Sequence, residues 1–594
     1  MTAQRVLYLA LKTVRTAATA LAVAAVCTLP AVAQEPVRDG AEALAAARRL
    51  LAAGMPGLAL IRIERSQQPE FQAVAQSGSS PGPRPAPQPG VQPGPQSAAT
   101  RWSEWETLRL GALAGLGRWQ DMVARAEALS NAPALPAPFL RTAWLAGADA
   151  ALRLAEVAVP SSAASAAAGG GVAAVGSAAG SAAPAASATA AVDRPVGPSA
   201  EVAAASLRAR ALAARVIWSA TPAPDDVRRA QVVVVESLFA GRDVPSGYRS
   251  MLRYRQDQPI PAPAVAARFA ALLAMNGMAS EALPLLPLLP DGHVVRLAVQ
   301  VQLGLLPAPT ATAQARATLR RAGPPAPAAA VPGTGTPAPV ASPGASAVRE
   351  WNLLRSAFQS VGDGVVLAGA SERMLDADPT APEAASRARA LWRDYLAAAP
   401  AVANREQLLV GDSFGWSDAA ARIAGRDPLS ARVLFAHLAL HAPESDVRAA
   451  ARLQLAGLLR EAGMGGAAAQ LFLDREAFDP AQHPADLRRL LADTAAARRL
   501  HGPALAFRRG LDPRPGEDAD EFRITSADWQ ARAGRLDEAL QGAVAVFTAP
   551  RNVAPRPALI VRVHALADLF ADAGDTAGAA RLREVAGPVP VRRP

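Results

Sequence analysis

Six glycines recur at the same place in a repeating helical pattern, and they constrain the fold of this chain more than any other feature. Gly54, Gly277, Gly463, Gly534 and Gly574 are each followed five residues later by alanine, at Ala59, Ala282, Ala468, Ala539 and Ala579; the sixth, Gly117, has Met122 there. Seven residues before the glycine stands Ala47, Ala270, Ala456, Ala527 or Ala567, with Leu110 in the sixth copy. Glycine takes the left-handed conformation that ends one helix, and the small side chains on either side let two antiparallel helices approach closely. Around these turns apolar residues return at helical spacing, as in ADWQARAGRLDEALQGAVAVF, and not in the alternation of a strand. Even the VVVV run at 232–235 follows a helix start at Asp225 and Asp226, and reads as a buried helical turn. The expectation is an all-α chain of antiparallel helical hairpins, with a degenerate further turn at Gly502.

Composition supports that reading. Alanine dominates the 51% hydrophobic fraction and aromatic residues make up only 4%, a supply of side chains that suits close helix contacts better than a β-sandwich. A hairpin of this kind cannot bury its apolar face alone, so neighbouring hairpins must stack.

Three stretches lack the large apolar residues needed to offset the entropy of ordering them. They are the Pro/Gly/Gln-rich 77–99, the Ala/Gly/Ser-rich 158–199 and the Pro/Ala/Gly/Thr-rich 306–347, the first two expected to be disordered linkers and the third mostly so. Between them lie expected helical segments at 34–76, 100–157, 200–305 and 348–594. Ahead of all of these, residues 1–33 carry Arg5, Lys12 and Arg15, then an apolar run, then Ala31-Val32-Ala33. That order of charge, apolar core and small-residue site is the pattern of a cleavable secretory signal peptide, and the apolar run is shorter than the roughly 20 residues that span a bilayer. Cleavage after Ala33 would remove Cys27, the only cysteine, and with it any disulfide, thiolate nucleophile or cysteine-ligated metal. No transmembrane segment is expected after cleavage. The formal charge is +10, almost all of it arginine, since Lys12 is the only lysine; export argues against nucleic acid as the partner of this charge.

The hairpin pattern resembles the tetratricopeptide repeat family, in which two helices joined by a glycine turn carry small residues at these offsets. AGRLDEAL at 533–540 and GLGRWQDMVARAEAL at 115–129 carry the resemblance best. This chain departs from the family in its helix aromatics, mostly replaced by leucine or alanine, in its irregular closing proline, and in the loss of regular spacing: Gly534 and Gly574 are 40 residues apart. The resemblance implies an α-solenoid that binds proteins or peptides, with no cofactor.

Several residues invite a chemical reading. Gly411-Asp412-Ser413-Phe414-Gly415 satisfies G-x-S-x-G after the apolar 408–410, the order of a nucleophile elbow, and resembles the first block of GDS-type esterases. The family's later blocks are missing after Ser413, and an inter-helix turn is the better reading. Glu236-Ser237 resembles the catalytic pair of lytic transglycosylases, without the Gly-Leu-Met-Gln stretch that should follow. His437 and His441 share a helix face as metal ligands would, but no third ligand is evident, so no metal is assigned. Three arginine pairs, Arg488-Arg489, Arg498-Arg499 and Arg508-Arg509, precede an acidic loop containing Glu517, Asp518, Asp520 and Glu521. They are either a partner-docking patch or a solvated face balanced by that loop.

The sequence therefore points to an exported, periplasmic, non-catalytic helical-repeat scaffold for envelope proteins or peptide segments. The alternatives are a serine hydrolase using Ser413 and a peptidoglycan-associated accessory protein.

Overall fold

A computed structural model describes residues 40–66, 95–130, 135–157, 199–321, 343–403, 412–474, 482–548 and 556–589. Among these, 81% of residues are helical, in 25 α-helices, and no strand occurs. The signal segment and the greater part of the three expected linkers lie outside the described residues. The chain divides into two units, 1–45 and 46–594. Of the first, only residues 40–45 are described, and they are helical. Everything below concerns the second.

The turn glycines behave as their spacing requires. Gly54, Gly117, Gly277, Gly463, Gly534 and Gly574 all have positive φ, between 66° and 84°. At each, two backbone bonds close the helix end: at Gly534, for instance, Gly534 N–H donates to Ala531 O (2.9 Å) and Arg535 N–H to Gln530 O (2.8 Å). This paired bonding satisfies carbonyls that the last helical turn would otherwise leave open. All twelve flanking positions are buried, from Ala47, Ala59, Ala270 and Ala282 at 0% exposure to Met122 at 3%.

Gly502 is not a turn. It is an exposed residue inside the helix His501–Arg508, and the turn is made three residues earlier by Arg499, whose φ is 60°. Arg499 and Leu500 make the same two backbone bonds, to Ala496 O and Ala495 O, and the flanking Ala492 and Ala504 are buried as the repeat demands. Arg242 makes an equivalent turn at φ 58°. The 232–235 valines lie within the helix Pro224–Ala240.

Aspartates start many of the helices that follow. Asp243, Asp363, Asp412, Asp427, Asp518 and Asp575 each accept a backbone N–H from the first turn. A carboxylate there satisfies orphan donors and meets the positive end of the helix dipole.

Packing follows sequence order. Ala519–Arg532 packs on Leu536–Thr548 to make one hairpin and on Pro557–Asp572 of the next, while Leu536–Thr548 packs on Thr576–Ala586. The same alternation joins Ser445–Glu461 to Ala485–Ala497 and Gly465–Leu473 to His501–Arg508. The gaps between the expected segments are bridged the same way: Ala137–Val157 packs on Ala200–Ile217, and Val294–Gln302 on Pro343–Val361. Part of the expected linker 306–347 is helical, as Ala308–Arg321, because Ala311, Ala315 and Leu319 fall on one buried face. A single apolar core extends from Val232 to Trp529, with Tyr395, Phe269, Phe358, Phe435, Phe472 and Phe507 fully enclosed by alanine-rich helices.

Candidate functional site

The three arginine pairs occupy the hairpin formed by Ala485–Ala497 and His501–Arg508, and most of them are engaged within the fold. Arg488 is buried, donating from Nε to Phe507 O (3.0 Å) and from Nη2 to Arg509 O, so it holds the end of the facing helix. Arg489 donates to Asp512 O (2.7 Å). Arg498 pairs with the buried Asp376 at 3.1 Å, and that carboxylate also accepts from Gly466 N (2.9 Å) and Ala467 N (3.2 Å), capping a helix 90 residues away in sequence. The Arg508 guanidinium carbon sits over the Phe522 ring, 3.6 Å from its centroid, with the Trp529 centroid at 4.8 Å, and Arg508 donates to Phe522 O. Burial lowers the Arg508 pKa from its ordinary value against the pull of Asp493 and Glu517. Arg499 and Arg509 are exposed.

Next to Arg509 is a cavity of about 360 Å³ lined by Arg489, Asp493, Arg508, Arg514, Glu517 and Phe522. Arg489 and Arg508 each keep a buried Nε that finds no acceptor in the described protein. A guanidinium N–H in that position needs water or an anionic group, and three guanidiniums with an aromatic wall suit a carboxylate-bearing segment. The acidic loop does not face off against the arginine pairs as a block. Asp518 caps its own helix, Glu521 pairs with Arg562 (3.2 Å), and only Glu517 turns to the cavity, accepting from Arg514 N (2.8 Å).

The other candidates are placed as follows. Ser413 is the first residue of the helix Ser413–Ala424, buried, with its hydroxyl donating to Glu444; the preceding 404–411, including Gly411 and the apolar run, lies outside the described residues. Its partner is a carboxylate and not an imidazole. Glu236 and Ser237 are enclosed between helices: Ser237 donates to Val234 O, and Glu236 meets Arg268 and Arg349, each at 3.3 Å. Burial would raise the Glu236 pKa, but Arg349, Arg268 and Arg153 outweigh it and hold the carboxyl below its ordinary range. His437 and His441 lie side by side with ring centroids 5.1 Å apart and planes tilted by 46°, and burial lowers the His437 pKa. Among the described residues no group of three or more His, Cys, Asp or Glu side chains is placed to hold a metal ion.

Two charged networks were not visible in the sequence. Arg349 reaches both Glu156 (3.4 Å) and Glu236, tying together helices drawn from three of the expected segments. The buried Arg432 forms two 2.7 Å bonds to Glu372, which also accepts from Tyr395 Oη at 2.7 Å. The partners lie between 23 and 193 residues apart, and no local pattern marks them. No protein-family model matches the chain, and no curated protein matches it. No described helix is long and apolar enough to cross a membrane.

Proposed function

We propose that the chain is an exported, periplasmic, non-catalytic scaffold, a stack of tetratricopeptide-like hairpins forming an α-solenoid that holds an acidic segment of another envelope protein. The observation that carries this reading is the uniform turn at six predicted glycines, with buried small or apolar residues on both sides of each, which makes the hairpin the repeated unit of construction. Repeats of this kind present extended surfaces for other chains. The arginine-lined cavity beside Arg509 is the docking point, because it joins cationic groups, an aromatic wall and two buried N–H donors without a protein acceptor. Export rests on the charge, apolar core and small-residue order of residues 1–33.

A photo-crosslinking side chain placed at Arg509 in living cells tests the reading. The expected product is a discrete crosslinked envelope protein, absent when the probe replaces Gly457 instead, a half-buried position where an added Cβ meets nothing within 4 Å. Identical products from both positions, or none from either, contradict it.

A further inference from the structure

The helix Ala200–Ile217 is apolar on two opposite sides. Val202, Ala205, Ala209, Leu212, Ala213 and Val216 are buried where it packs on Ala137–Val157 and Pro224–Ala240. On the outer side Ala200, Ala204, Leu207, Ala211 and Trp218 are exposed and Ala214 is half-buried, and these six follow one another at alternating intervals of four and three residues. Such a spacing is the seam of a two-stranded coiled coil. Leu207 is 61% and Trp218 84% exposed, two of the three most exposed large apolar side chains among the described residues. We propose that this outer seam is a homodimer interface, in which the helices of two copies of the chain pack antiparallel about a two-fold axis at the level of Ala209.

The seam is complementary in size to its own reverse. About that axis Leu207 of one copy faces Ala211 of the other, Trp218 faces Ala200, and Ala204 faces Ala214, so each large side chain is received by a small one. Alanine at the remaining places lets the two helix axes come within about 8 Å. A parallel pairing in register would instead set Trp218 on Trp218 and Leu207 on Leu207. Self-complementarity of this kind is what a two-fold interface requires, since the same patch serves on both sides.

Charge is complementary as well. Glu201, Arg208 and Arg215 stand one heptad apart along one edge of the seam, and all three are exposed. The antiparallel arrangement brings Glu201 beside Arg215 of the other copy, twice by symmetry, and neither residue has an ion-pair partner among the described residues. Arg208 meets its counterpart close to the axis, where Glu127, 3.9 Å away within each copy, offsets the like charge. Antiparallel packing also sets the positive N-terminal end of each helix beside the negative C-terminal end of the other. A seam of 18 residues is about 27 Å long, which makes a small interface and a dimer with a Kd on the order of 10 µM.

Sedimentation velocity of the purified protein across about 1 to 100 µM tests this. The expected result is a reversible monomer–dimer equilibrium. Leu207→Lys/Ala211→Lys should abolish the dimer and leave the melting temperature unchanged, since both side chains are exposed. Glu201→Arg and Arg215→Glu should each weaken it about tenfold, because every reversal acts at two symmetric pairs, and the two reversals combined should restore it. Glu201 and Arg215 lie about 21 Å apart along one helix, so pairing between copies is the source of that rescue. A monomer at every concentration, a dimer indifferent to the two lysines, or a double reversal no better than the single ones overturns the proposal.

Discussion

The guanidinium of Arg499 lies across Gly54, so closely that a Cβ on the glycine would stand 2.5 Å from Nη1. Both residues are turn residues with positive φ, 445 positions apart, and nearby Arg49 reaches Asp572 at 2.5 Å. The first hairpin of the unit thus meets the C-terminal hairpins through side chains. Gly54→Ala should therefore cost more than Gly534→Ala, whose added methyl meets nothing within 4 Å. Left-handed φ alone accounts for roughly 1–2 kcal/mol at either position. Denaturant melts should show the excess at Gly54 disappearing in an Arg499→Ala background; an excess that persists contradicts the contact.

Asp376 should be among the most sensitive surface-remote positions. It is 2% exposed and serves Arg498 and two backbone N–H groups at once. Asp376→Ala leaves all three without their acceptor and should destabilise by about 3 kcal/mol. Arg498→Ala, losing one contact of a part-exposed side chain, should cost less, and the two effects should not add. Additive losses in a double-mutant cycle would show that the pair is not coupled.

Tyr395→Phe probes the Glu372 and Arg432 network without removing a charge. One buried hydrogen bond is lost, for about 1 kcal/mol, whereas Arg432→Met strands the Glu372 carboxylate and should cost about 3–5 kcal/mol. Chemical denaturation of both variants checks the ranking; equal costs contradict it.

Asp149 gives the stability a pH dependence of definite sign. Burial raises its pKa from 3.8 to about 6, against the opposing pull of Arg229, Arg268 and Arg153 and with a further push from Glu236. The native state therefore holds this proton more tightly than the unfolded chain, so its contribution is full below pH 3.8 and is lost as pH rises through about 6. Asp149→Asn should stabilise the protein by about 2 kcal/mol at pH 7.5, with the advantage fading towards pH 4. Thermal melts across that range that show no such convergence contradict the assignment.

The turns were legible where glycine made them, because left-handed backbone selects glycine and the small residues at fixed offsets repeat the signal. Arg242 and Arg499 make the same turn and leave no such mark, and Gly502 misdirects because it is the second residue of the next helix, three positions past the turn at Arg499. The arginine pairs were legible as charge but not as structure. Arg488 spends its guanidinium on the carbonyls of Phe507 and Arg509, while Arg498 depends on Asp376, 122 residues earlier. Local spacing cannot encode partners so far apart. Ser413 shows the converse: a motif legible in five letters begins a helix and faces Glu444.

The scaffold role depends on the exposed arginine surface docking a partner. Affinity capture from envelope extracts, quantified for the wild-type chain and for Arg509→Glu/Arg514→Glu, measures this directly, since Arg514 lines the cavity, Arg509 directly follows the cavity-lining Arg508, and both are exposed. The predicted result is a protein with an acidic segment that the wild type retains and the charge-reversed variant releases, both chains being equally folded. The same proteins retained in equal amounts by both variants would contradict the docking scaffold.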